Sequence, residues 1–402
     1  MDRNVSRRGV LAGIGAGTAL SVAGCLGSDD EDVKVGVLQP ATGDLGDLGA
    51  PIMDAGELPG RQLEDEGVDY EIDIRREDTE DDEQVGIERA QTLVDAGYPS
   101  ITGAANSAVT IAVAQDILFP EEVVAISPAS TSPDITDMNG DYLLRTCPTD
   151  ALQGVALANL AYEEMGLETA STFYLNNDYG QGLSDEFVAN FEGEILEEQA
   201  FEGEQPSYDS ELETVLADDP DALLVVGYPD SGEQIFGDYY EIFDNDHQIF
   251  VADGMQSHDL PGDVDNPMEN VAGTAPAAAG PGRETFDELY TEEYGVDEPG
   301  VFTANAYDAT AVHILAQLRA DELSGPAVSE QVREVANPGG EVIEPSNLAE
   351  GLDLAADGEE IEYRGASSNV AFDENGDLDA GVFDVFEFGD IEGYEVTDQI
   401  EI

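Results

Sequence analysis

Short apolar runs of strand length alternate with longer amphipathic stretches along this chain, and no other feature limits its fold so tightly. VKVGVLQP (33–40), YEIDIRRED, SITGAA and EEVVAISP read as strands. Between them, APIMDAGELPGRQLEDEG, EQVGIERAQTLVDAG, closed by Gly97, and SAVTIAVAQDIL read as helices. Strands joined by crossovers of helix length run parallel, so the pattern predicts a parallel sheet with helices on both faces. The rhythm restarts after YLLRTCPTD, with helices in ALQGVALANLAYEEMG, GLSDEFVANFEG and SGEQIFGDYYEIF and strands in TASTFYLNND, DALLVVGYP, QIFVADG and VAGTAPAA. The chain has 402 residues, enough for two α/β units with separate cores.

Charge decides which partners such a fold can have. Lys and Arg total 13 against 90 Asp and Glu, a formal charge of −77, and Lys34 is the one lysine. Nucleic acid is excluded, because phosphate contacts need clustered cations. Disorder is the plain alternative for so acidic a chain, but 41% hydrophobic content and runs such as DALLVVGYP oppose it. Molar salt shortens the Debye length to about 3 Å and removes most of the self-repulsion, so a high-salt setting is expected. The lysine-poor, tryptophan-free composition resembles that of haloarchaeal proteins.

The N-terminus reads as an address. Arg7 and Arg8 precede an apolar, small-residue run from Val10 to Ala23 that is short and glycine-rich for a membrane span. Ser6-Arg7-Arg8-x-x-Leu11 resembles a twin-arginine export signal, and VAGC resembles a lipobox in which Cys25 receives the lipid. An uncleaved anchor is the alternative, with the same topology. Gly13-x-Gly15-x-Gly17 follows no strand and is not a dinucleotide site. Residues 1–24 are then the export signal and 25–32 an acidic tether, and Cys147 is left without a disulfide partner.

In open α/β sheets ligands bind beyond the carboxyl ends of the strands. Here those ends carry QPATGDLGDLG, GAANS, SPASTS, NNDYGQG, YPDSG and ADG, all small and polar. Each alone is an ordinary loop, and ISPASTSP alone is an ordinary strand-ending turn. Six of one character across two units point to a polar cleft between them. Catalytic patterns are missing: His247, His258 and His313 lack metal-ligand spacing, and no GxSxG, GxxxxGK[ST] or CxxC occurs. Cys147 precedes a proline and reads as a buried thiol. DENGDLDAGVFD (373–384) approaches a calcium loop but has Leu378 where Gly is needed, so NG reads better as a hairpin turn between SSNVAFD and GVFDVFEF.

These segments, with LLRTCPTDALQGVALANLA, ANAYDATAVH and YRGASSNVAFDENGD, occur in an order and spacing that resembles the branched-chain amino acid binding proteins of ABC transporters. The resemblance implies a type I periplasmic-binding fold, two doubly wound parallel-sheet lobes joined by a multi-strand hinge. The lobes are expected over 33–149 with 282–362, and 150–281 with 363–402. In such a protein Ser107, Ala129 and Thr131, with neighbouring Ser130, would hold a ligand carboxylate and receive its ammonium. Tyr179 would cover the ligand, Tyr208 would be a further wall, and Asp230 would pair the ammonium, one methylene short of the family's Glu. Asp253 is either a second ammonium partner or a turn residue. Ser107 could also cap the following helix.

The resemblance further implies a cell-surface, lipid-anchored monomer that binds a zwitterion, an amino acid or small amide, without enzymatic activity or cofactor. Its partners would be a permease and ATPase subunits. A sensory receptor of the same fold, coupled to a membrane signalling protein, is the alternative.

Overall fold

The computed structural model describes residues 33–203, 205–243, 247–391 and 393–402. The export-signal residues Arg7 and Arg8 and the lipidation candidate Cys25 lie outside them. Five parallel strands make the first sheet, in the order β2-β1-β3-β4-β5: β1 (Val33–Gln39), β2 (Ile72–Asp78), β3 (Ser100–Gly103), β4 (Val124–Ser127) and β5 (Leu143–Arg145). Its central strands β3 and β4 are buried throughout, as expected of strands covered on both faces, whereas the edge strand β2, IDIRRED, is charged and half-buried.

The second sheet has the order β14-β13-β10-β9-β8-β6-β7. β6 (Thr169–Leu175), β7 (Glu194–Phe201), β8 (Ala222–Val226), β9 (Gln248–Val251) and β10 (Val271–Pro276) are parallel. β13 (Val382–Asp390) and β14 (Gly393–Glu401) extend its β10 edge antiparallel. A small parallel pair, β11 (Glu341–Ile343) and β12 (Ile361–Tyr363), stands apart. The helices fall where the amphipathic stretches predict, including Gly46–Glu66, Glu83–Asp95, Asp178–Asn190 and Pro229–Ile242.

The expected hairpin around NG takes a different form. Only Phe372 and Leu378 bridge across the turn, and β13 instead pairs with β10 and β14. The turn packs on the first lobe, with the Arg145 amide donating to the Gly376 carbonyl at 2.9 Å.

Three chain segments cross between the sheets, after β5, after β10 and before β13. Hydrogen bonds lace them together: Ala279 N–H to Ser367 O (2.9 Å), Ala277 N–H to Val382 O (2.8 Å), and Asn305 Nδ2 to Thr146 O (2.6 Å). Among the described residues no helix is long and apolar enough to cross a membrane.

Candidate functional site

Loops from the carboxyl ends of both sheets meet around a cavity between the lobes. The first lobe supplies Leu45, Leu48, Ile52, Ala105, Ser107, Ala129 and Phe302, and the second supplies Tyr179, Tyr228, Asp253 and Gly254. Four sequence candidates, Ser107, Ala129, Tyr179 and Asp253, therefore face one space. The lobes touch beside it, where the Ser231 hydroxyl donates to the Asp44 carboxylate at 3.1 Å.

On the first-lobe side, Ser107 opens the helix Ser107–Val113 but does not cap it. Asn106 is the cap, its side-chain oxygen accepting from the amides of Ala108 (2.8 Å) and Val109 (3.3 Å). The Ser107 hydroxyl accepts from the Ser132 amide at 3.3 Å and keeps its own proton to give. Thr131 is buried and its Oγ1 has no hydrogen-bond partner among the described residues. Ser130 is committed elsewhere: its hydroxyl meets the carbonyls of Ala104 (3.0 Å) and Ala105 (2.9 Å) and Thr110 Oγ1 (2.8 Å), so it ties two loops together.

On the second-lobe side, Tyr179 and Tyr228 stack in parallel with ring centroids 5.6 Å apart. The Gly254 amide donates to the Tyr179 hydroxyl at 3.2 Å. Only glycine allows that approach, because a Cβ at 254 would stand 2.4 Å from the Gly227 carbonyl oxygen. Asp253 opens the single 3-10 turn Asp253–Met255 and is 3% exposed, with Oδ1 unpartnered among the described residues.

Asp150, which sequence reasoning passed over, lies beside it. It occupies the first turn of the helix Asp150–Asn159, is fully buried, and neither carboxylate oxygen has a hydrogen-bond partner among the described residues. Burial, then the nearby charge of Asp253, push its carboxyl well above the ordinary value, while the Thr131 hydroxyl, which stands close to the carboxyl although outside hydrogen-bonding geometry, and the Arg145 charge oppose that rise. Burial also raises Asp253, against hydrogen bonding from Gln153 and Tyr179. Arg145, the cation that acts on Asp150, is itself paired with Asp377 at 2.6 Å. Two buried acids with bare oxygens thus face a set of hydroxyls, an arrangement suited to a cation on one side and a hydrogen-bond acceptor on the other.

Two candidates lie elsewhere. Asp230 is exposed, the second residue of the helix Pro229–Ile242, and does not line the cavity. Tyr208 is in the second lobe's core, edge-on to Phe173 and Phe201, its hydroxyl donating to the Glu202 carbonyl at 3.1 Å. Beyond Asp150, the sequence reading passed over Tyr228, Phe302 and the aliphatic wall of Leu45, Leu48 and Ile52. Tyr228 had a signal, its place directly after a strand end. Phe302 had none, and it adopts a left-handed backbone (φ 64°) that its local sequence does not announce. Among the described residues no group of His, Cys, Asp and Glu could hold a metal ion.

Residues 32–344 match a family model described as periplasmic binding protein. A substrate-binding protein of a chemotactic signal transduction system, BasB of Halobacterium salinarum, is 27% identical over 356 residues, which are 85% of this chain and 83% of BasB. A Leu/Ile/Val-binding protein homolog of Brucella melitensis is 24% identical over 376 residues, 89% of this chain and 92% of the relative. Among solved structures, the leucine binding protein LivK of Thermotoga maritima aligns with a TM-score of 0.77 at 25% identity, covering 92% of this chain and 98% of its own. The relatives are substrate-binding proteins rather than enzymes.

Proposed function

The chain belongs to the periplasmic binding protein family, among its Leu/Ile/Val-binding members, and from that premise we propose that it captures a small apolar amino acid between its lobes and presents it to a membrane partner. The observation that carries this reading is one cavity with three chemically distinct walls. Asp253 lines one wall and receives the ammonium, with the buried Asp150 beside it, and Ser107, with backbone groups near Ala129, lines the other and takes the carboxylate, joined by the buried Thr131 hydroxyl behind that wall. Leu45, Leu48, Ile52 and Phe302 enclose an aliphatic side chain. The stacked tyrosines cover the ligand from the second lobe.

A zwitterion leaving water must have every charge-assisted hydrogen bond replaced, and this set can do so without a buried cation of its own. Asp230 and Tyr208 are left out of the set because the one is exposed and the other spends its hydroxyl in the lobe core, whereas Asp150 and Thr131 are buried beside the cavity with unpartnered oxygens. No cofactor enters this reading, and the protein acts as an extracytoplasmic receptor, held to the membrane by a lipid on Cys25 after export directed by Arg7 and Arg8.

Calorimetry in molar KCl tests the ligand class. Leucine, isoleucine or valine should bind, while 3-methylbutylamine and 4-methylpentanoate, each lacking one charged group of leucine, should bind at least tenfold more weakly. Equal binding of all three compounds would refute the three-wall reading.

The membrane partner is read first as an ABC permease with its ATPases. The chemotactic role in BasB's name favours a second reading, a sensory receptor. Deleting the gene and measuring both radiolabelled leucine uptake and leucine chemotaxis separates them, since an importer's loss abolishes uptake and a sensor's loss abolishes only taxis.

A further inference from the structure

The turn DENGD, Asp373 to Asp377, is neither a free hairpin tip nor a calcium loop. Asp373 Oδ1 accepts from the amides of Asn375 (2.8 Å) and Asp377 (2.9 Å), so that carboxylate is used inside the turn. Asp377 is 6% exposed and points instead under the first lobe. There Arg145, fully buried and 232 positions earlier, donates through Nε to Asp377 Oδ1 at 2.7 Å. Thr136 closes the ring, giving its hydroxyl proton to Asp377 Oδ2 (2.7 Å) and accepting from Arg145 Nη2 (2.8 Å).

The remaining arginine nitrogen reaches the cleft loop. Nη1 donates to the carbonyls of Ser132 (2.7 Å) and Ser130 (3.2 Å), the residues on either side of Thr131. The two carbonyls are held from one side by a single rigid guanidinium, which in turn is held by one carboxylate. Thr131 between them has the unpartnered hydroxyl.

We infer that Asp377 and Arg145 are positioning residues for the ligand: the DENGD turn braces the loop Ser130–Ser132 from beneath and fixes where the Thr131 hydroxyl stands. The inference rests on the proposed role of Thr131 in holding a ligand carboxylate. It gives the turn a task at the site although it lies far away in sequence, just ahead of the third crossing segment. A guanidinium deprived of its carboxylate would turn toward other acceptors and release one or both carbonyls, and the loop would sample positions from which Thr131 cannot reach the ligand.

Asp377→Asn tests this, since it keeps the side-chain volume and the turn's amide while removing the charge. Arg145→Lys serves as a second variant, retaining the charge but unable to span both carbonyls and the carboxylate. Leucine affinity is measured by calorimetry in molar KCl beside that of 3-methylbutylamine, which lacks the carboxylate. The expected result is at least a tenfold loss for leucine and less than a threefold loss for the amine. Hydrogen exchange of ligand-free protein gives a separate readout: the 127–133 segment should exchange at least tenfold faster, with the helix Thr303–Arg319 unchanged. A lower melting temperature with unchanged leucine affinity and unchanged exchange at 127–133 would mean a structural ion pair only, and overturn the inference. If wild-type protein binds no amino acid, the proposed function fails while the exchange experiment still decides the positioning role.

Discussion

Replacing Asp253 by Asn should move ligand affinity and the stability of the empty protein in opposite directions. The side chain is 3% exposed, its Oδ1 has no partner among the described residues, and the similarly bare Asp150 is close enough to raise its own carboxyl through it. A buried polar group left unsatisfied costs about 1–3 kcal/mol, and more when charged. The empty protein carries that cost, and an amide of equal size removes its charged part. A gain of about 1 kcal/mol corresponds to roughly 2–4 °C in melting temperature for a lobe of 150–250 residues. With ligand bound the sign reverses, because the ammonium loses a carboxylate inside a closed cleft. Breaking a buried pair costs about 3–5 kcal/mol, which is about 100-fold to several-thousand-fold in Kd. Asp150 remains nearby, so the lower end is expected. Thermal melts without ligand and calorimetry with leucine, both in molar KCl, measure the two effects. A variant that melts lower and binds normally would show Asp253 to be a structural acid, and the ammonium site would have to be sought elsewhere.

Asp230→Ala and Tyr208→Phe should each leave leucine affinity within about twofold of wild type, since one side chain is exposed and the other lies in the lobe core; Tyr208→Phe should cost about 1 kcal/mol of stability by titration with denaturant. Phe302→Ala opens the aliphatic wall toward the larger space that Phe302 shares with His258 and Tyr394, so calorimetry should show weaker leucine binding and relatively better binding of longer apolar side chains. Leucine affinity should fall as pH is lowered from 8 to 5, by up to tenfold per unit, because Asp150 and Asp253 take up protons well above the ordinary value of 3.8 and a protonated pair no longer attracts an ammonium. The same shift predicts that the empty protein loses stability as pH rises from 3.8 through the raised values, since the folded state holds protons that the unfolded chain has released. Lowering KCl from molar to roughly 0.1 M should unfold the protein, as followed by circular dichroism, because the Debye length then grows to about 10 Å and neighbouring carboxylates repel.

The strands buried on both faces were legible because burial forces a continuous apolar run: SITG, VAIS and ALLVV read correctly as β3, β4 and β8. The edges were harder. β7, EILEEQAF, and β14, GYEVTDQIE, present much of their length to solvent, so their composition is that of any acidic loop. β13 was seen as a strand but given the wrong partner, because pairing is a long-range choice that a local turn signal cannot decide. At the site, Asp230 and Asp253 posed the same problem with different outcomes, each following a strand end closely. Pro229 starts a full helix at once and carries Asp230 outward on its first turn, whereas Asp253 begins one 3-10 turn that keeps its carboxyl over the sheet end. Asp150 in TCPTD looked like an ordinary acid in a helix's first turn, favourable there on dipole grounds alone. Its neighbours in the fold, the Thr131 carbonyl that accepts from its amide at 2.9 Å and the Asp253 carboxyl, are distant in the chain, so local sequence does not reveal its burial.

Solvent conditions sharpen the contrast between the surface acids and the two in the cleft. A chain with a formal charge of −77 would surround itself with a strong negative potential in dilute buffer, and any cation would be drawn to it without discrimination. In molar salt, with a Debye length of about 3 Å, that outer field is erased within an atom's width of each carboxylate. Asp150 and Asp253 are screened much less, because they are buried. In the proposed reading the ligand therefore meets little electrostatic guidance until it is inside, where the two buried acids act over a few ångströms. On the proposed function, selection of an ammonium end, and an orientation that sends the carboxylate toward Ser107 and Thr131, would follow from the buried acids rather than from net charge. The same reasoning predicts that so acidic a protein discriminates among ligands at the few buried positions that salt does not reach.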